Sequence, residues 1–92
     1  MTNTNKLEGL EWHNDGGHGW LKCPMTRLRG ILDSRTISQY SFCFNDYGYF
    51  EEDCDAQKAL EALNISQAEA RNIPEVDDGE RSKIRNYPRF NN

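Results

Sequence analysis

The chain has 92 residues and a net charge of −4, with 36% hydrophobic and 28% charged residues. This length predicts a single domain over residues 1–92 with a small core, and the acidity argues against a general nucleic-acid binder. The apolar runs are far shorter than the roughly 18 residues of a membrane span, and residues 1–9 lack the apolar stretch of a signal peptide. We therefore expect a cytoplasmic protein with no membrane contact.

The candidate metal ligands are poorly spaced for a metal site. Cys23, Cys43 and Cys54 are odd in number and widely separated, which favours reduced thiols over a disulfide framework. His13, His18 and Cys23 follow one another at intervals of five residues, whereas structural zinc sites usually offer ligand pairs about two to four residues apart. We expect no metal and no cofactor.

The first third of the chain predicts a hairpin and a short helix. Residues 13–19 contain three glycines and are flanked by weakly alternating runs, which predicts a hairpin near residues 7–22. Pro24 suits the first turn of a helix, and Gly30 suits the position after its end. A short helix is therefore predicted near residues 24–30.

Alternating aromatic residues predict a second hairpin. Tyr40, Phe42 and Phe44 occupy every second position, which places their rings on one face of a strand. Residues 45–48 are typical of a turn, so the chain is expected to return antiparallel and complete a hairpin near residues 39–52.

An amphipathic helix is predicted near residues 55–63, because alanine and leucine recur there at helical spacing. Asp53 or Asp55 is expected to cap its N-terminus. Ser66–Glu69 has the spacing of a capping box, and the segment around Pro74 is typical of an edge strand.

Together these elements predict an α+β fold, in which a small antiparallel sheet of four to five strands carries the 55–63 helix on one face. Residues 1–6 are expected to be frayed, and residues 79–92 to form a basic segment that lies back over the domain. An edge strand able to pair with its twin leaves monomer and homodimer open. The predicted core consists of Trp20, Leu28, Tyr40, Phe42, Phe44, Phe50, Leu60 and Leu63.

Charge alternates along the chain. Residues 22–35 and 80–89 each carry four basic residues and one acid, whereas residues 46–61 carry six acids and one lysine. One interpretation is complementarity between neighbouring elements, with the basic tail paired to the acidic start of the helix.

Four blocks of sequence resemble a known family: HGWL at 18–21, ISQYSF at 37–42, YFEEDCDA at 49–56 and SKIRNYPRF at 82–90. They are similar, in the same order, to HGxGYL-, ISxYSY-, YLEEDCDA- and IRxYPRF-like blocks of small, uncharacterised phage and mobile-element proteins. The resemblance implies a setting in an infected or host bacterial cell, and it implies no mechanism.

This setting, together with the clustered acids, predicts a non-enzymatic binding module for a host protein. One such role is inhibition of a bacterial defence system, with carboxylates that imitate phosphates in front of a basic groove. No catalytic residues are predicted. The candidate partner-binding residues are Asp46, Glu51, Glu52, His18, Arg85 and Arg89.

Nucleic-acid or small nucleotide-ligand binding is the alternative function. It would use a basic face formed by Lys22–Arg35 and Arg81–Arg89, with Tyr87 and Phe90 as stacking groups.

Overall fold

The computed structural model describes residues 6–90. Five strands form one mixed sheet in the order β3-β4-β2-β1-β5. The strands are β1 (Glu11–Asn14), β2 (Gly19–Pro24), β3 (Phe42–Phe44), β4 (Tyr47–Glu51) and β5 (Glu75–Asp77). β1 pairs antiparallel with β2, and β3 with β4. Both predicted hairpins and the α+β class are confirmed.

The helices are short. They are α1 (Ala56–Ala62) and α2 (Gln67–Ala70), with 3₁₀ turns at Met25–Arg27, Ser34–Thr36 and Lys83–Asn86. The predicted 55–63 helix is α1, and α2 begins with the predicted capping box. The predicted helix near 24–30 is a single 3₁₀ turn, followed by a hydrogen-bonded turn over residues 28–31 in which Gly30 has a φ of 83°. None of the helices in the described chain is both long enough and apolar enough to cross a bilayer.

The last strand departs from the predicted all-antiparallel sheet. β5 pairs parallel with β1, so that Trp12 lies opposite Glu75. The chain reaches this edge only after passing through α1 and α2, and such a crossover returns it in the same direction as its neighbour. Pro74, which has no N–H, precedes β5 and accepts a hydrogen bond from Trp12 N at 2.8 Å.

The turn between β3 and β4 contains two residues rather than four. Asn45 and Asp46 have φ values of 53° and 67°, and Phe44 lies opposite Tyr47. Two consecutive positive φ angles are typical of a type I′ turn, which Asn and Asp tolerate well. Tyr47, predicted as a turn residue, therefore begins β4.

Each face of the sheet has its own core. Leu21 and Phe50 lie on the face that α1 covers, together with Leu60. Trp20, next to Leu21 in β2, points to the opposite face, where it packs with Ile84 of the C-terminal segment. Successive residues of a strand face opposite sides of the sheet. Because α1 covers one face and the C-terminal segment covers the other, the apolar side chains on both faces are hidden from water.

Two predicted core residues are wrong: Tyr40 is 54% exposed and Phe44 is 43% exposed. Leu63, at the end of α1, is partly buried and packs against the core. Tyr40 precedes β3 within a turn, so the alternation of a strand does not apply to it. Phe44 lies at the hairpin end, where it stacks on Tyr87 with ring centroids 4.4 Å apart.

The C-terminal segment lies along the outer edge of β3. Cys43 N donates to Pro88 O at 2.9 Å, and Phe90 N donates to Ser41 O at 2.8 Å. Residues 1–5, where fraying is predicted, are outside the described residues. Lys6 is within them, and its Nζ lies 3.1 Å from Glu69.

Candidate functional site

Asp55 has a structural role different from the predicted one. It occupies the N-cap position of α1, but its side chain makes no capping hydrogen bond. The buried carboxylate accepts hydrogen bonds from Ser38 N at 3.0 Å, from the hydroxyls of Ser38 and Ser41, and from Lys58 Nζ at 3.0 Å. Burial alone would raise the pKa of Asp55, but these donors outweigh it and lower the pKa. Asp55 therefore ties the 38–41 turn to the start of α1.

Glu51, predicted as a partner-binding residue, is the group that closes the turn before α1. It is 4% exposed, and its Oε1 accepts from Asp53 N at 2.9 Å and from Cys54 N at 3.0 Å. These two N–H groups belong to the turn that precedes the helix. Neither Asp53 nor Asp55 makes the predicted capping hydrogen bond to α1 within the described residues.

Four of the six predicted partner-binding residues come together at one pocket. His18, Glu51, Arg85 and Arg89 line a cavity of about 230 Å³ at the edge of the C-terminal segment. We call it the arginine pocket, and its lining is completed by Trp20, Tyr40, Phe42 and Arg81.

Arg85 is the fixed wall of the arginine pocket. Its Nε donates to Asp15 Oδ2 at 2.7 Å and its Nη2 donates to Asp15 Oδ1 at 2.8 Å. The hydrogen bond from Arg85 is the main cause that lowers the pKa of Asp15 well below its usual range. The guanidinium also lies 5.3 Å above the Trp20 ring, so Arg85 is held by charge and by stacking.

The other two arginines are less constrained. Arg89 donates to the backbone oxygen of Gln39, and its guanidinium lies 5.9 Å from the centroid of Phe42. Arg81 is exposed and forms no ion pair with any residue between 6 and 90. Asp15 pairs with Arg85 and Glu51 is the acid in the lining, so these two carboxylates stand against three guanidinium groups and leave the arginine pocket with an excess positive charge.

His18 lies at the mouth of the arginine pocket. Its Nδ1 is 3.3 Å from Glu51 Oε2, and its ring centroid is 6.0 Å from that of Trp20. The imidazole of His18 therefore packs near the Trp20 ring. Cys23 is buried on the opposite face of the sheet, so these residues do not converge on a metal. Within residues 6–90, no group of three metal-ligating side chains occurs.

Asp46 and Glu52 lie away from this pocket and away from each other. β4 separates them, and six steps of extended chain correspond to roughly 20 Å. Asp46 is paired with Arg29, whose Nη2 lies 3.2 Å from Asp46 Oδ1. The three predicted carboxylates therefore do not form one acidic surface.

The predicted basic face is also divided. Arg29 pairs with Asp46, and Arg35 pairs with Asp33 at 3.0 Å, so residues 22–35 are largely neutralised and do not join the arginine pocket. The rings of Tyr87 and Phe90 pack on Phe44 and Phe50 and are part of the fold. The basic tail pairs with Asp15 in the β1–β2 loop, not with the acidic start of α1 as predicted.

Sequence patterns miss Tyr40 and Asp15 as parts of the site, whereas Arg81 belongs to the basic face predicted for the alternative function. The signal for Asp15 is the Asp-Gly-Gly sequence of the first hairpin loop, where its Oδ1 accepts from Gly17 N at 2.9 Å and from His18 N at 3.0 Å. Such a turn fixes an Asp side chain against its own backbone, but it does not reveal a partner 70 residues away.

The fold and the pocket together define a small α+β domain with an arginine-lined cleft. Comparison with protein-family models, with curated proteins and with solved structures finds no match to this chain.

Proposed function

We propose that this protein is a non-enzymatic binding module that holds a phosphate-bearing ligand in the arginine pocket. The observation that carries the proposal is the convergence of Arg81, Arg85 and Arg89 on one cavity in a chain of net charge −4. Guanidinium groups match phosphate geometry and form charge-assisted hydrogen bonds with it.

The charges around the arginine pocket favour a single anionic group over a long polyanion. Asp15 neutralises Arg85, and Glu51 lies at the pocket wall, so the free positive charge is limited. A nucleic-acid backbone would meet the acidic remainder of the domain, whereas one phosphate group fits within the cleft.

Titration of the ¹⁵N-labelled protein with inorganic pyrophosphate tests the proposal. We expect the largest chemical-shift changes at His18 and Arg81 to Arg89, and an affinity that falls as salt rises from 50 to 200 mM, since the attraction is electrostatic. Shifts spread evenly over the surface, or centred elsewhere, would contradict it.

Capture of a host protein by an acidic surface is the second candidate, in a phage or mobile-element setting where a defence protein is one such target. The observation that favours it is the exposed pair Glu52 and Asp53. Partial burial and the neighbouring Asp53 and Glu51 carboxylates raise the pKa of Glu52. No lysine or arginine in the described range forms an ion pair with either residue, and His18 offsets the repulsion at Glu52 only in part, so a cationic partner would relieve it further.

A pull-down from bacterial lysate compares two variants of equal charge. Glu52→Gln with Asp53→Asn should lose the partner, while Glu75→Gln with Asp77→Asn on β5 should retain it. Glu51 is left unchanged in both variants because it supports the turn before α1. If the two variants captured the host protein equally well, the acidic surface would be ruled out as its binding site.

A further inference from the structure

Tyr40 is an aromatic residue at the rim of the arginine pocket that the fold does not use. Its backbone is fixed, because Tyr40 N donates to Ser38 Oγ at 3.1 Å and Tyr40 O accepts from Trp20 Nε1 at 3.4 Å. Tyr40 is 54% exposed, and among residues 6–90 its side chain contacts no other ring and makes no hydrogen bond through its hydroxyl. A large ring is therefore attached to a fixed backbone position, with much of its surface open to solvent.

The two other large aromatic rings of the arginine pocket are already covered. Trp20 is 2% exposed and lies beneath Arg85, and Phe42 is 9% exposed and lies beneath Arg89. The smaller imidazole of His18 is half exposed, and Tyr40 is thus the large pocket ring available to a ligand in the described chain.

The arginine pocket is large enough to hold only one part of a ligand. Its volume of about 230 Å³ is below the roughly 300 Å³ at which pockets begin to enclose whole small molecules. A phosphate group can enter between the arginines, and the remainder of the ligand must lie outside, against the rim where Tyr40 is exposed.

We infer that the ligand is a nucleotide whose phosphate is held by Arg81 and Arg89 and whose base stacks on the ring of Tyr40. Bases stack on tyrosine rings without regard to sequence, since every base has a π face. This inference rests on the proposed function, and it adds a contact for the base to the proposed contacts for the phosphate. The nucleotide is either free or the 5′-phosphorylated end of a single strand, because both present the same two groups.

The experiment measures the affinities of adenosine 5′-monophosphate, ribose 5-phosphate, and pentathymidylate with and without a 5′-phosphate by NMR titration. Adenosine 5′-monophosphate should bind about 5- to 150-fold more tightly than ribose 5-phosphate, the range expected for stacking of one base. Tyr40→Ala should abolish that difference, because it should weaken binding of adenosine 5′-monophosphate far more than binding of ribose 5-phosphate. Tyr40→Phe keeps the ring and should preserve the difference. Circular dichroism checks that both variants are folded.

Equal affinities for the two small ligands, or unchanged nucleotide binding by Tyr40→Ala, would overturn the inference and leave the phosphate pocket standing. Failure of both small ligands and of the phosphorylated strand to bind would contradict the proposed function as well. Tight binding of only the phosphorylated strand identifies a nucleic-acid end as the ligand. Binding of adenosine monophosphate with similar affinity identifies the free nucleotide.

Discussion

Arg85 and Asp15 join the C-terminal segment to the loop between β1 and β2 through a bidentate ion pair, at 2.7 and 2.8 Å. The Asp15 side chain is inaccessible to solvent, and it also accepts from Ser82 N at 2.7 Å. The arginine pocket lies beside this junction. Its geometry therefore depends on a contact between two segments that are 70 residues apart.

Arg85→Gln should lower the free energy of unfolding by about 2 kcal/mol, because it leaves the Asp15 carboxylate buried with one charged partner removed. Urea denaturation followed by tryptophan fluorescence measures the change. Arg35→Gln is the matched control, since its pair with Asp33 lies in solvent and should contribute almost nothing. Equal midpoints for the two variants would show that the Arg85–Asp15 pair does not hold the segment.

Stability should fall as the pH drops below about 4. The folded-state pKa values of Asp15 and Asp55 are both below their ordinary range. Their contribution is therefore complete above the unfolded-state pKa of about 4 and is lost as the pH falls through it toward the folded values. Urea midpoints between pH 2.5 and 7 measure this dependence, and Asp15→Asn should make it shallower. If the urea midpoint of Asp15→Asn depended on pH as steeply as that of the natural protein, the role assigned to Asp15 would be contradicted.

Asp55→Asn should destabilise the protein by about 3 kcal/mol, since an amide cannot accept from all the donors that surround the buried carboxylate. Asp53→Asn, two residues earlier and exposed, should leave stability almost unchanged. The comparison separates the observed role of Asp55 from simple helix capping, in which either aspartate would serve. Similar thermal midpoints for the two variants would favour the capping interpretation.

The cysteines should differ in reactivity. Burial raises the pKa of Cys23 to about 11, so iodoacetamide should not modify it in the folded protein. Partial desolvation and the carboxylates of Glu51, Asp55 and Asp53 raise the pKa of Cys54, so this exposed thiol should react more slowly at pH 8 than it does in urea. Mass spectrometry of the alkylated protein measures both rates, and rapid native modification of Cys23 would contradict its burial.

Local patterns predicted the elements whose signals lie within a few residues. The β3–β4 hairpin, α1 and the capping box of α2 each follow from neighbouring residues, because turn chemistry and helical spacing are local properties. The same local rule fails at Tyr40, where the chain is still in a turn and the alternation of a strand has not begun.

Such local patterns could not predict contacts between segments that are far apart in the sequence. The parallel pairing of β5 with β1 and the burial of Asp55 beneath Ser38 and Ser41 depend on where distant segments meet. The same holds for the pocket: His18, Arg85 and Arg89 were selected from the sequence, but that they line one cavity together with Tyr40 is visible only in the folded chain.

The affinity of two charge-matched variants for inorganic pyrophosphate tests the central claim most directly. Arg81→Gln with Arg89→Gln removes two guanidinium groups from the arginine pocket, and it leaves Arg85 and its ion pair in place. Arg35→Gln with Arg71→Gln removes the same charge from exposed positions elsewhere. We predict at least a tenfold loss of affinity in the first variant and less than a twofold loss in the second, because phosphate contacts with guanidinium groups are local and charge-assisted. Equal losses in the two variants would contradict a phosphate site in the arginine pocket.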